Sequence, residues 1–255
     1  MSFDRAALTY DQDFTRTSIA QWLRRRVWAR LDRMFQPGMR VLEIGCGTGE
    51  DAVYLAQRGV QVVATDASPE MLRITQEKAQ AHKLTIQTAL FDLNQPDTRN
   101  LTDQFDGVYS NFGALNCTPH WAQLAAYLAQ ITTSQGKIGL GVMGRFCLWE
   151  SLWHGLHGDF ATAKRRWSGQ SVAVLADGSM LPVYYPAYKH LAADFAQHFR
   201  HTACLGIGVF LPPSDVYPVV EARPSIQRLL TGLESRLGHS LPGLADHYWL
   251  ELDKN

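Results

Sequence analysis

Between positions 41 and 50 the chain reads VLEIGCGTGE, an apolar strand running straight into a loop with glycine at 45, 47 and 49. Bare backbone in such a loop can close against a bound molecule, and the amides that open the following helix can receive its carboxylate or hydroxyls. This describes a nucleotide-type pocket. The dinucleotide fingerprint G-x-G-x-x-G would need glycine at 45, 47 and 50, but position 50 is Glu50. A carboxylate at the helix start repels a pyrophosphate, so the loop suits a cationic cofactor better than a dinucleotide.

Around this turn the sequence alternates between two periodicities. Residues 16 to 35 place Ile19, Trp22, Leu23, Val27, Leu31 and Met34 at helical spacing, with Pro37 and Gly38 ending the run. Then follow a helix over 49–58, an apolar run over 60–68, a helix over 69–82, a strand within 85–93, a run over 105–116, a helix over 119–132 and a strand over 137–143. Beyond residue 186 the pattern predicts a helix over 187–198 and strands over 201–210 and 247–254. Such alternation means a doubly wound α/β fold, with a mostly parallel sheet covered on both faces. At 255 residues the chain reads as a single domain spanning 1–255.

The stretch 145–186 exceeds an ordinary connection and needs structure of its own. Phe146, Trp149, Leu152, Trp153 and Leu156 repeat at helical spacing, and SVAVLADGSMLPVYY looks like a hairpin turning at Asp177 and Gly178. Together they predict a cap inserted between strand five and the next helix, over the carboxyl end of the sheet where such folds hold ligands. The aromatic stripe can line an apolar substrate pocket or glue the cap to the body. His154 and His157 are candidate bases there, against the commoner fate of a packed, hydrogen-bonded histidine. The apolar run 205–217 is a candidate pocket rim.

Val41 to Glu50 resembles motif I of the class I S-adenosylmethionine-dependent methyltransferases, of the small-molecule type, and later strand ends agree with that likeness. The resemblance implies a Rossmann-like seven-stranded sheet closed by an antiparallel hairpin, with S-adenosyl-L-methionine as cofactor. It assigns Gly45, Gly47 and Gly49 to the cofactor loop. Asp66, about 20 residues beyond the loop, becomes the acceptor of the ribose hydroxyls, with Ala67 and Met71 beside it. Asp92 falls near the adenine amino group and Leu93 flanks the ring. Ser110, Asn111 and Phe112 resemble motif IV, facing the methionine moiety and the substrate. Glu43, a charge among apolar strand residues, is implied to help bind the methionine ammonium, and Tyr10 to lie over the cofactor entrance.

The acceptor is bounded more weakly. A formal net charge of zero provides no global field for nucleic acid or an anionic membrane. Arg24, Arg25, Arg26, Arg30 and Arg33 read as a solvated helix face, as do Lys164, Arg165 and Arg166. No apolar run approaches the length of a membrane span and no signal-peptide order opens the chain, so a soluble, cytoplasmic protein is expected. Cysteines at 46, 117, 147 and 204 lack paired spacing, which argues against disulfides and metal sites; Cys46 reads as an apolar filler. Motif IV reads Ser110-Asn111-Phe112-Gly113 without the proline pair frequent in base and glutamine methyltransferases of this fold. These features favour a small-molecule or lipid-like acceptor. No catalytic residue is singled out, since positioning alone supplies much of the acceleration for methyl transfer. An adenosylmethionine-binding protein without turnover and an NAD-dependent oxidoreductase remain the alternatives.

Overall fold

The computed structural model describes residues 3–95, 101, 104–174 and 178–255. In chain order the elements are α1 (Asp4–Ala7), α2 (Ser18–Met34), β1 (Arg40–Ile44), α3 (Glu50–Ala56), β2 (Gln61–Asp66), α4 (Pro69–Ala81), β3 (Gln87–Leu90), β4 (Phe105–Ser110), α5 (Trp121–Ile131) and β5 (Thr132–Met143). After them come α6 (Leu148–Leu156), α7 (Phe160–Lys164), β6 (Gln170–Val174), β7 (Met180–Tyr184), α8 (Tyr188–Phe195), β8 (Phe199–Ile207), α9 (Tyr217–Glu221), α10 (Pro224–Leu237) and β9 (His247–Lys254). A π-helical turn, Asp11–Thr15, leads into α2.

Seven strands form one sheet in the order β3-β2-β1-β4-β5-β9-β8. The pairs among β1 to β5 are parallel, and β9 inserts antiparallel to both β5 and β8. This is the doubly wound arrangement that the alternating pattern predicts. Strand order reverses between β1 and β4, so the loops after these two neighbours diverge and leave a crevice at the carboxyl end of the sheet.

Alternation along the strands builds a core on each face. Leu42 and Ile44 join Val108, Ile138, Leu140 and the buried sides of α5 and α8. Val41, Tyr109 and Trp249 point the other way, against Ile19, Leu23, Val27 and Leu31 of α2. Each such buried side chain contributes roughly 1.5–3 kcal/mol relative to an exposed one, which is how the stripe read over residues 16–35 docks α2. Thr17 caps that helix by accepting the Ala20 amide, and Ser68 caps α4 by accepting the Met71 amide just behind Pro69.

The stretch between β5 and α8 contains α6, α7 and a separate two-stranded antiparallel sheet, β6 with β7. Part of its expected turn, Asp177, lies outside the described residues. α10 falls in a stretch to which the sequence pattern assigns no element: of its fourteen residues only Glu234 is buried. Among the described residues no helix is long and apolar enough to cross a membrane.

Two of the charge readings need correction. Arg24 is buried in α2 against Asp51, and Arg166 is 3% exposed. The Arg166 guanidinium lies 3.0 Å from Glu150 of α6 and 2.7 Å from Asp246 ahead of β9, and it also donates to the Asp246 carbonyl. Arg165 adds a second cation to Glu150. The run of basic residues conceals this because linear sequence does not show where the buried carboxylates fall. Burial alone would raise the Asp246 carboxyl, yet the His247 and Arg166 charges outweigh it and hold the group well below the usual carboxylate range.

Removing the cation should leave two buried carboxylates without the guanidinium that joins them, Glu150 keeping only Arg165 and Asp246 only His247 among the described residues. Arg166→Met is expected to destabilise the protein by about 3–5 kcal/mol in urea unfolding. In the wild type, the stability due to the depressed Asp246 pKa is present above about pH 4, the unfolded-state value, and is lost as pH falls below it. The variant should show a shallower acid dependence.

Candidate functional site

The crevice at the carboxyl ends of β1, β2 and β4 opens into a cavity of about 550 Å³. Its floor is the glycine loop. Gly45, Gly47 and Gly49 all have positive φ, 70°, 53° and 78°, the region that favours glycine. A Cβ on Gly45 would fall 2.2 Å from that of Ala114, whereas one on Gly47 would meet only Tyr10, at 3.8 Å. Gly45 is thus bare so that two loops can touch, and Gly47 is bare beside open cavity. Gly49 does not line the cavity: it caps α3, and a Cβ there would strike Thr75 at 2.6 Å.

Asp66 ends β2 at the cavity wall. One carboxylate oxygen accepts the Gly47 amide and the other the Ser68 amide, both at 2.9 Å. Burial raises its pKa despite these donors. Ala67 and Met71 follow it on the lining, and Asp92 and Leu93 reach the cavity from the loop after β3. Asp92 also closes its own turn by accepting the Asn94 amide.

Glu43 lies on β1 on the same face as Val41. It is 2% exposed, and Oε2 has no hydrogen-bond partner. Burial first, and the neighbouring Asp51 second, push its carboxyl well above the ordinary range. Tyr10 overhangs the loop, its phenol pushed up to about 12 by burial. The segment that carries it is fastened from below: Asp11 accepts the Thr48 hydroxyl at 2.6 Å and pairs with Lys78 at 2.7 Å, and Lys78 also meets Glu50. Glu50 faces the cavity, as the argument against a pyrophosphate requires.

At the end of β4 the three motif IV residues separate. Asn111 and Phe112 line the cavity, but Ser110 is fully buried and spends its hydroxyl on the Ile44 carbonyl, tying β4 to β1. Asn111 donates to Asp51 at 2.9 Å. Asp51 also accepts from Arg24 and from the Trp28 indole, each at 2.6 Å. The Arg24 guanidinium then lies over the Phe112 ring, 4.7 Å from its centroid, while Phe14 meets the same ring edge-on at 5.2 Å. Phe112 itself has φ 48°, a strained value for an aromatic residue, held by this packing.

Arg24, Thr48, Asp51, Cys117 and Met143 are cavity residues that the sequence pattern does not single out. The i, i+4 relation of Arg24 and Trp28 on α2 is the trace that could have paired them, because both reach one carboxylate. Other expected residues lie elsewhere. Phe146, Trp149, Leu152, Trp153 and Leu156 are absent from the described lining; Trp149 donates to the Phe210 carbonyl, and Leu152 and Leu156 face solvent. His154 pairs with Asp215 and His157 with the Trp153 carbonyl, so neither reaches the cavity. The 205–217 run forms no rim: Ile207, Leu211 and Tyr217 pack into the α2-side core. Ala173, Leu181 and Val183 of the β6–β7 hairpin stand where the aromatic stripe was expected.

The lining is electrically lopsided. Glu43, Glu50, Asp51, Asp66 and Asp92 contribute carboxyl groups, and among the described lining residues Arg24 is the only guanidinium or ammonium. That combination suits a positively charged ligand with an anionic end near Arg24.

Residues 41–136 match the family model described as a methyltransferase domain. A putative methyltransferase from Geobacillus sp. (strain WCH70) is 38% identical over 117 residues, which cover 46% of each chain. Demethylmenaquinone methyltransferase from Corynebacterium urealyticum is 33% identical over 141 residues, covering 54% of this chain and 56% of its own. These matches span about half the length of those relatives. A solved S-adenosylmethionine-dependent methyltransferase from Clostridium acetobutylicum superposes with TM-score 0.63 at 11% identity over 98% of both chains, a likeness of fold. The glycine loop and the strand order therefore agree with the comparisons: residues 41–136 are similar to a methyltransferase domain, and the whole chain has the Rossmann-like fold seen in class I S-adenosylmethionine-dependent methyltransferases.

Proposed function

We propose that this chain transfers a methyl group from S-adenosylmethionine to a small, largely apolar molecule. The observation that carries this reading is the charge distribution of the cavity, in which five carboxyl groups, Glu50 and Asp51 among them paired with Lys78 and Arg24, line the wall beside a bare glycine loop. A sulfonium is attracted there and a pyrophosphate is repelled, which disfavours the nicotinamide alternative.

The residues fit the donor. Asp66, already oriented by the Gly47 and Ser68 amides, receives the ribose hydroxyls, with Ala67 and Met71 alongside. Asp92 and Leu93 border the adenine. The Glu43 oxygen without a partner faces the ammonium end. Arg24 is held by Asp51 on one side, and its buried Nε has no hydrogen-bond partner, so it completes its bonding on the methionine carboxylate. When bound, the donor supplies an activated methyl group. The chain's part is to hold an acceptor atom in line with that methyl and to exclude water, which accounts for much of the acceleration in such a displacement. Gly49 and Ser110 act indirectly, by shaping the two loops.

Three outcomes test this. Asp66→Ala should weaken binding of S-adenosylhomocysteine by roughly 1–3 kcal/mol in calorimetry, and unchanged affinity would remove Asp66 from the site. Gly47→Val, which puts a branched side chain into the cavity, should block binding while circular dichroism stays that of the wild type. Arg24→Met should weaken S-adenosylhomocysteine more than 5′-methylthioadenosine, which lacks the amino-acid end; equal losses would mean that Arg24 only supports the fold. Turnover itself is measured with a radiolabelled methyl donor offered with small-metabolite, protein and RNA pools. Label should enter the organic-extractable fraction. Label in RNA or protein alone contradicts the proposed acceptor, and tight donor binding with no label anywhere makes the chain a binding protein.

A further inference from the structure

We infer that the β6–β7 hairpin is the wall that selects the acceptor, and that the acceptor's body against it is an uncharged hydrocarbon or aromatic surface. This rests on the donor half of the cavity being the methyl-donor site.

The argument begins with strand alternation. In the antiparallel pair, Ala173 stands opposite Leu181 and Ser171 opposite Val183, so these four share one face. Ala173, Leu181 and Val183 line the cavity, and Ser171 turns its hydroxyl to the Tyr185 phenol, 3.1 Å away. Among the residues paired in β6 and β7, the inward face therefore offers the cavity no free polar group of its own. Phe112, Ala114 and Met143, at the ends of β4 and β5, line the same cavity. The carboxyl groups belong to β1, the first turn of α3, the end of β2 and the loop after β3. The hairpin, fastened beside Met143 and close to Ala114, thus forms with them the apolar half of the lining.

The hairpin is not loosely laid over the opening. Asn116, fully buried, donates from Nδ2 to the Met143 carbonyl at 3.0 Å and to the Tyr184 carbonyl at 2.6 Å, and its Oδ1 accepts the Met143 amide at 3.0 Å. One side chain therefore fixes the end of β7 to the end of β5. The Tyr185 amide closes on the Gly169 carbonyl, and the Tyr248 phenol donates to the Pro186 carbonyl just beyond. A wall fastened in this way can discriminate by shape. An ionised or strongly hydrated group against Ala173, Leu181 and Val183 would lose its water and gain no partner.

The test uses the full-length protein, S-adenosylhomocysteine and the neutral apolar dye N-phenyl-1-naphthylamine. At saturating S-adenosylhomocysteine the wild type should still bind the dye with enhanced emission. Ala173→Trp, which fills the apolar half, and Leu181→Glu, which places a charge there, should each weaken dye binding by at least about tenfold. Both should leave S-adenosylhomocysteine affinity within about twofold. Met180→Lys, on the solvent face of the same hairpin, where the native side chain is 75% exposed, controls for disturbance of the hairpin and should change neither ligand. The inference is overturned if the wild type takes up no dye, if S-adenosylhomocysteine displaces it, or if both inward variants bind it normally. A protein that binds the dye in this pattern and not S-adenosylhomocysteine would keep the hairpin assignment and refute the donor site.

Discussion

A single buried carboxylate, Asp51, organises the entrance to the cavity. It accepts from Arg24 and Trp28 of α2 and from Asn111 after β4, while itself belonging to the first turn of α3. Three elements distant in sequence are thereby set at fixed positions around one point. The arrangement is costly to disturb, because each donor removed leaves charge or polarity stranded where water does not reach. It also dictates where Arg24 points, and through Arg24 where the Phe112 ring lies. The ordinary packing of a doubly wound sheet brings these elements near one another; Asp51 converts nearness into a defined geometry.

The second constraint is steric. At the reversal between β1 and β4 the two following loops approach so closely that Gly45 and Ala114 leave no room for an added methyl. Gly47, two residues on, stands free of such crowding, and its amide is turned to Asp66. Two glycines in one motif therefore answer to different demands, one to loop contact and one to access. The third, Gly49, answers to a left-handed helix cap against Thr75.

These demands explain what the linear sequence reveals. The strand-to-loop run at 41–50, the acidic end of β2 at Asp66 and the period of α2 are local signals, and the sheet and the glycine-loop wall of the cavity follow from them. What escapes notice depends on contacts over long separations. Arg24 and Arg166 sit in runs of basic residues that look solvated, and only the folded chain brings Asp51, Glu150 and Asp246 to them. The same limit applies to the insertion. Its aromatic spacing correctly marks a helix, α6, but helical spacing does not say which neighbour receives the stripe. Trp149 turns toward the Phe210 carbonyl, and the smaller Ala173, Leu181 and Val183 reach the cavity. α10 eludes pattern reading because so little of it is buried.

The contact between Gly45 and Ala114 has a consequence for how such a cavity can diversify. Because the floor is pinned at a separation that tolerates no added carbon, its width cannot drift without unseating both loops. The hairpin carries no comparable restriction, since its inward positions border empty space and its attachment runs through backbone carbonyls held by Asn116. Variation in the shape of the cavity is therefore channelled into one short, replaceable ribbon, while the floor beneath it stays the same.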